Sequence, residues 1–427
     1  MISKILFSLS LTCITCCALA QNGPEPANPD RKTDSLYRNK NYEQAARGFI
    51  DLAAHADFKL KKNRSYYQAA CCYSLLNQKD SAYLYLRKSI AAGFNNKKSV
   101  LQDSDLDSIR NDKRWTETLA GIQESRRKVN SDPEKASIIV SDIDNFWTAY
   151  DKAIADTAHF KSIFKTYYFD KASDGMQDYM GMKVRNIDAF IYHVRALPQF
   201  YKAIRENTYV PSRTRTNLVK SFNHLKSIYP QAQFPDVYFI IGAFTSAGTV
   251  SDHGLLIGIN QFCDDQSIPK EELNAKTKRM FVSKELFPGL VPHELIHFQQ
   301  QGMKRDTTTL SYAITEGMAD FIGEKISGVN ANIKLHQWAS GREKAIWTKF
   351  TVDMYYKRYN KWLANSQGSS TDNPADQGYW VGYQICKAYY DRANDKNKAI
   401  KEMLNIQDYR AFLKDSGWEQ TIAGDQP

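Results

Sequence analysis

Cysteine is scarce and poorly placed for a disulfide framework. The 427 residues hold seven cysteines, and three of them (Cys13, Cys16, Cys17) fall in an amino-terminal segment that reads as removable. The rest, Cys71, Cys72, Cys263 and Cys386, are scattered without a CxxC pair, which excludes a cysteine zinc site and predicts buried free thiols. Past the first twenty residues no apolar run approaches the ~20 residues a membrane span needs, so none is expected. Long charge runs are missing too. The net charge of +10 is spread over short clusters such as Lys59-Lys61-Lys62-Arg64 and Arg126-Arg127-Lys128, and no basic tail points to nucleic acid. Disorder on the scale of the whole chain is excluded by 42% hydrophobic residues and 12% aromatics.

What is present begins with a secretory signal. Lys4 precedes an apolar stretch from Ile5 to Cys17, and Ala18-Leu19-Ala20 offers a small-x-small cleavage site before Gln21. Residues 1–20 are therefore expected to be removed, leaving an exported protein in the periplasm or outside the cell. A lipid anchor on Cys16 or Cys17 is the lesser alternative, because neither follows a Leu-x-small pattern. Residues 21–32, rich in Pro and Asn, form a leader.

Residues 33–130 read as helices. Ala45, Phe49 and Leu52 in one segment correspond to Ala82, Leu86 and Ile90 in the next, with Asn77-Gln78-Lys79-Asp80 as a turn. The placement of Ala70, Tyr73, Ala82 and Ser89 resembles tetratricopeptide repeats over roughly residues 30–95, where small residues let paired helices approach and an aromatic fills the gap. Leu106, Ile109 and Trp115 would cap the array. That resemblance implies a module for binding a protein partner; a generic helical bundle is the alternative.

Ser131-Asp132-Pro133 marks a linker, and residues 134–427 form the second domain, helical again to about residue 232. Two runs rich in β-formers follow, Val237 to Ile241 and Gly254 to Ile259, read as strands joined by a long turn. After Phe287-Pro288-Gly289 the chain returns to helix. The expected class is α+β, mainly helical, with a small sheet.

The chemistry concentrates in His293-Glu294-Leu295-Ile296-His297. On a helix, positions i and i+4 share a face, so both imidazoles can reach one ion. Glu294 lies about 100° around from His293, near enough to address a zinc-bound water. Pro292 suits a first helical turn. A tetrahedral zinc site needs a third protein ligand. A metzincin histidine is excluded, since Met303 and Gln300 occupy the places of its histidine and glycine. Instead Glu316-Gly317-Met318-Ala319-Asp320 follows, with eighteen residues between His297 and Glu316. Small Gly317 and Ala319 would let a second helix pack close and aim Glu316 at the metal.

This pattern, HExxH-x18-E, resembles the gluzincin zinc metallopeptidases, including the M1-type aminopeptidases. The resemblance implies a thermolysin-like catalytic domain with Zn2+ on His293, His297 and Glu316, and Glu294 as general base. It gives Asp320 the task of orienting the first histidine, and it calls for a strand that holds a peptide by backbone pairing. Asp252, His253, Gly254 and Leu255 would form that strand and its entry, a Gly-rich turn facing water being the alternative. A tyrosine for the oxyanion would be Tyr379 or Tyr383, which lie 63 and 67 residues past Glu316; His336 is a weaker candidate. The M1 strand motif GxMEN is absent, Gly258-Ile259-Asn260 standing in its place. Over roughly Pro235 to Tyr390, the core of the second domain, the chain is also similar to a bacterial family of predicted zinc-dependent proteases. The expected function is thus an exported metalloprotease, a hydrolase acting on a peptide or protein substrate. The alternatives are a zinc hydrolase of non-peptide bonds, or an inactive relative whose repeats bind protein.

Overall fold

Small residues at helical spacing set up the first structural layer. In the computed structural model, which describes residues 29–124, 129–365 and 369–424, four consecutive helices pack in order: α1 (Pro29–Arg38), α2 (Tyr42–Ala54), α3 (Lys59–Leu75) and α4 (Lys79–Ala91). Ala45, Ala46, Ala69, Ala70 and Ala82 are fully buried between them. Tyr73 stacks on Tyr85 at 5.4 Å, and the Ser89 hydroxyl donates to the Asn63 carbonyl at 2.7 Å. The turn before α4 passes through Asn77, which adopts the left-handed conformation that asparagine tolerates. Leu106, Ile109 and Trp115 close the end of this core. The signal segment, its three cysteines and its cleavage site, residues 21–28 of the leader, and the Arg126–Lys128 cluster lie outside the described residues. The last part of the expected leader is already helical, because α1 begins at Pro29.

The second region is organised on five short strands: β1 (Val129–Asn130), β2 (Ile138–Ile139), β3 (Phe234–Ile240), β4 (Gly248–Val250) and β5 (Gly254–Gly258). Their order is β1-β3-β5-β4, with β2 also pairing β3. Strands β3 and β5 are parallel, from Asp236 opposite Gly254 to Ile240 opposite Gly258, and β4 returns antiparallel onto β5. The connection expected as a plain long turn therefore contains an edge strand. Strands β1 and β2 went unforeseen because two residues carry no periodicity.

Adjacent residues on β3 face opposite ways. A Cβ added at Gly175 would sit 2.3 Å from the Tyr238 ring, which places the helix Asp174–Lys183 on that face. The neighbouring Phe239 ring lies 5.7 Å from Phe287, at the start of the helix Phe287–Gln299, on the other. The fold is mainly helical, 66%, with a small mixed sheet. Among the described residues no helix is long and apolar enough to cross a membrane. Cys71, Cys72, Cys263 and Cys386 are free and buried, as expected.

Candidate metal centre

The helix Phe287–Gln299 carries the HELIH pentapeptide. Its start is earlier than expected: Pro288 occupies the first turn, and Pro292 lies inside the helix. Pro292 is thus no first-turn residue, and it removes one backbone donor immediately before His293. The helix Thr309–Ser327, capped by the Thr308 side chain, brings Glu316 opposite. Gly323 lets this helix approach the HELIH helix: a Cβ there would meet the His293 nitrogen at 3.1 Å. Gly317 serves a different contact from the one expected. Its missing Cβ makes room for Gly382 and Tyr383 of a third helix, Gln377–Arg392, at 2.0–2.5 Å.

The two imidazole Nε2 atoms stand 3.0 Å apart. His297 Nε2 is 3.1 Å from Glu316 Oε2, and His293 Nε2 is 3.6 Å from it. Each Nδ1 is engaged elsewhere. His293 Nδ1 faces Asp320 Oδ1 at 2.7 Å, and Asn332 donates to the other oxygen of that carboxylate at 2.6 Å. His297 Nδ1 faces Gln300 Oε1 at 2.7 Å, and the Gln300 amide donates to the Thr315 carbonyl at 2.8 Å. With both Nδ1–H groups donating outward, both Nε2 lone pairs and a carboxylate oxygen converge on one point. Three acceptors facing one another repel unless a cation or protons lie between them. A tetrahedral zinc with bonds of 2.0–2.1 Å puts ligand atoms about 3.3 Å apart, and the three separations bracket that value. The donor set fits a zinc-class ion.

The electrostatics agree. Burial opposes charge on His293, but Asp320 and Glu316 outweigh it and push its pKa well up. Burial likewise raises Glu316, yet the two histidines hold it far below the usual carboxylate range. Burial lifts the Glu294 carboxyl, against the pull of His297 and His293. Glu294 lies under β4, where a Cβ on Gly248 would meet its Oε1 at 2.2 Å.

The remaining predicted residues divide. The Tyr379 ring stacks on His293 at 6.0 Å, and its phenol, pushed well up by burial and by Glu316, stays a donor toward that carboxylate. Tyr383 is not at the centre; its hydroxyl donates to Glu324 at 2.8 Å, two helical turns beyond Glu316, and His336 packs on its ring at 4.4 Å. The substrate-strand expectation fails. Gly254 and Leu255 belong to β5, which is hydrogen-bonded on both sides and buried, so its backbone has nothing free to pair with a peptide. Gly254 is required by φ +149, where a Cβ would strike the Asp236 carbonyl at 2.1 Å. Asp252 and His253 sit at the β4–β5 turn, with His253 Nδ1 2.8 Å from Asp178. Gln300 was missed; a glutamine three residues past a helical ligand histidine was the available signal.

No solved structure matches the chain. Over 88 residues it is 28% identical to a chloroplastic protein of Arabidopsis thaliana, covering 21% of this chain and 26% of that relative. The chain thus spans about a quarter of the length of that curated relative. The family model of gliding motility protein GldB matches residues 124–420, beginning where the helical module ends. That match overturns the gluzincin expectation, and with it the metalloprotease and hydrolase activity and the general-base role of Glu294. The physical reason is that HExxH-x18-E specifies where ligand atoms converge and by itself carries neither a substrate nor a reaction. By its match over more than half its length, the chain belongs to the family of gliding motility protein GldB.

Proposed function

We propose that this chain is a non-proteolytic component of the cell envelope whose second domain holds one zinc-class divalent ion on His293 Nε2, His297 Nε2 and Glu316. The observation that carries this reading is the convergence of three acceptor atoms whose other hydrogen bonds are already made. Asp320 and Gln300 would fix the two ring tautomers, and Tyr379 would donate to Glu316. The bound ion would supply a coordination position for an incoming ligand beside Glu294. The helices of residues 29–124 would act as a docking arm for a protein partner, in keeping with a motility component. A lipoprotein family favours the anchor on Cys16 or Cys17 over free release, in the periplasm or at the cell surface; mass spectrometry of the mature amino terminus tests this.

Metal content of the purified mature protein tests the centre. About one zinc per chain is expected in the wild type, lost in His297→Ala with the fold retained by circular dichroism. A wild type that binds no zinc after reconstitution sinks the reading.

A further inference from the structure

Among the described residues ten large hydrophobic side chains are exposed, and seven of them are spread along the chain from Leu75 to Ile333. Scattered in that way they need no explanation. The remaining three fall within five residues: Val352 is 64% exposed, Tyr356 59% and Tyr355 36%. They emerge together where the helix Glu343–Asp353 ends. The segment is firmly held. The Thr309 amide donates to the Tyr356 carbonyl at 2.9 Å and the Leu310 amide to the Met354 carbonyl at 2.8 Å, which pins it to the start of the helix that carries Glu316. Asp353 is buried and accepts from Arg358 at 2.9 Å and from the Trp362 indole at 3.1 Å. With backbone and acid tied inward, the segment presents an apolar and aromatic surface outward.

Cations surround that surface. The Arg358 guanidinium lies 4.7 Å from the Tyr356 ring, and that of Arg410, on the helix Tyr409–Ser416, lies 4.1 Å from the Tyr355 ring. Lys349 precedes Val352 by one turn, Lys357 follows the tyrosines, and Lys361 shares Asp353 at 3.3 Å. Among the described residues Lys349, Lys357 and Arg410 form no ion pair. Five cations thus stand against two acids, buried Asp353 and the Glu419 carboxylate that acts on Tyr355. An acidic protein would match this charge alone. The interfacial layer of a bilayer matches the apolar tips as well, since tyrosine rings sit at headgroup depth while lysine and arginine reach outward to phosphate. The match to a lipoprotein family places the chain beside lipid, and no described helix crosses a membrane, so the contact is peripheral.

We propose that Val352, Tyr355 and Tyr356 rest in the headgroup layer of an anionic lipid surface, with Lys349, Lys357 and Arg410 meeting its phosphates. The contact is separate from an acyl anchor at the amino terminus. It fixes which face of the second domain lies on the lipid, and so how the helix bearing Glu316 stands above it. It does not depend on the metal reading.

The test uses the mature chain from Gln21 onward, made without an acyl group so that only the protein surface can bind. It is sedimented with vesicles of phosphatidylcholine alone, or of equal parts phosphatidylcholine and phosphatidylglycerol. Wild type should pellet with the anionic vesicles, less so as salt rises, and stay in solution with the neutral ones. Val352→Ser combined with Tyr356→Ser should weaken binding about tenfold, and Lys357→Glu about tenfold or more. These side chains are exposed, so thermal melting of the variants should match wild type. Lys98→Glu, the same change of charge in the helical module, should stay within about twofold of wild type. A wild type that ignores anionic vesicles overturns the proposal and leaves the patch to an acidic protein. Binding that falls equally in Lys98→Glu and Lys357→Glu, or survives the double variant, overturns it as well, because net charge alone would then be responsible. Zinc content should be equal in all variants, so this test and that of the metal centre fail independently.

Discussion

Among the described residues two places bring three potential metal ligands within 4.8 Å, and they are not alike. One is His293, His297 and Glu316; the other is Cys71, Asp103 and Asp105 in the helical module. In the second, the carboxylates are already satisfied. Asp103 accepts from the Tyr67 hydroxyl at 2.8 Å and from the Asp105 amide at 3.1 Å, and Asp105 accepts from the Tyr37 hydroxyl. Burial pushes the Cys71 thiol well up, and the two aspartates push it further, so it stays protonated. These neighbours of the cluster are donors aimed at it. In the first cluster both ring Nδ1 donors are aimed away, the Tyr379 phenol donates toward Glu316, and the two Nε2 atoms and Glu316 Oε2 are left facing one another. Proximity alone does not make a metal site. What matters is whether the ligand atoms have other partners.

The largest effect separates the two clusters directly. His297→Ala or Glu316→Ala should abolish stoichiometric zinc, whereas Cys71→Ser and Asp103→Asn should leave it at wild-type level, read by metal analysis of gel-filtered protein. Zinc lost from the Cys71 or Asp103 variant would reverse the comparison. Next comes the support of the first cluster. Asp320→Asn should weaken zinc about 10–100-fold in a competition titration with a chelator, because the carboxylate fixes the His293 tautomer. An unchanged affinity would show that the outward hydrogen bonds, on which the contrast depends, do not matter.

How much of this was legible follows the same division. His293, His297, Glu316 and Asp320 were visible in the sequence because the helical period and ligand chemistry fix them together. The choice between Tyr379 and Tyr383 was not. They lie four residues apart on one helix face, and only the stagger of that helix against Thr309–Ser327 sends one to Glu316 and the other to Glu324. That stagger comes from Gly317 against Gly382, a contact between residues sixty-odd positions apart. The buried, interior position of β5 did have a signal: Gly-Leu-Leu-Ile-Gly is apolar on both faces, as strands covered on both sides are. The reaction was not legible, because a ligand motif carries no substrate.

A third, smaller effect tests the second cluster as packing. Tyr67→Phe removes one donor to Asp103 and should cost about 1–2 kcal/mol in urea unfolding, with zinc unchanged. If Tyr67→Phe were neutral, the carboxylate's satisfaction by the fold would be in question.

The smallest expected effect is an absence of reaction. Only the thiolate is a nucleophile, and a thiol is unreactive while pH stays well below its pKa. Burial and Asp105 raise Cys72 to about 12, and burial with Asp103 and Asp105 pushes Cys71 well up. At pH 8 iodoacetamide should leave both unmodified in the folded protein and alkylate both once urea unfolds it. A metal bound at the second cluster would reverse this pattern: it would hold Cys71 as thiolate, and a chelator would change its rate. Peptide mapping of native protein with and without chelator therefore probes the comparison from the side of the cysteine. Chelator-independent protection of Cys71 keeps the two clusters distinct, and chelator-dependent labelling makes them two sites of one kind.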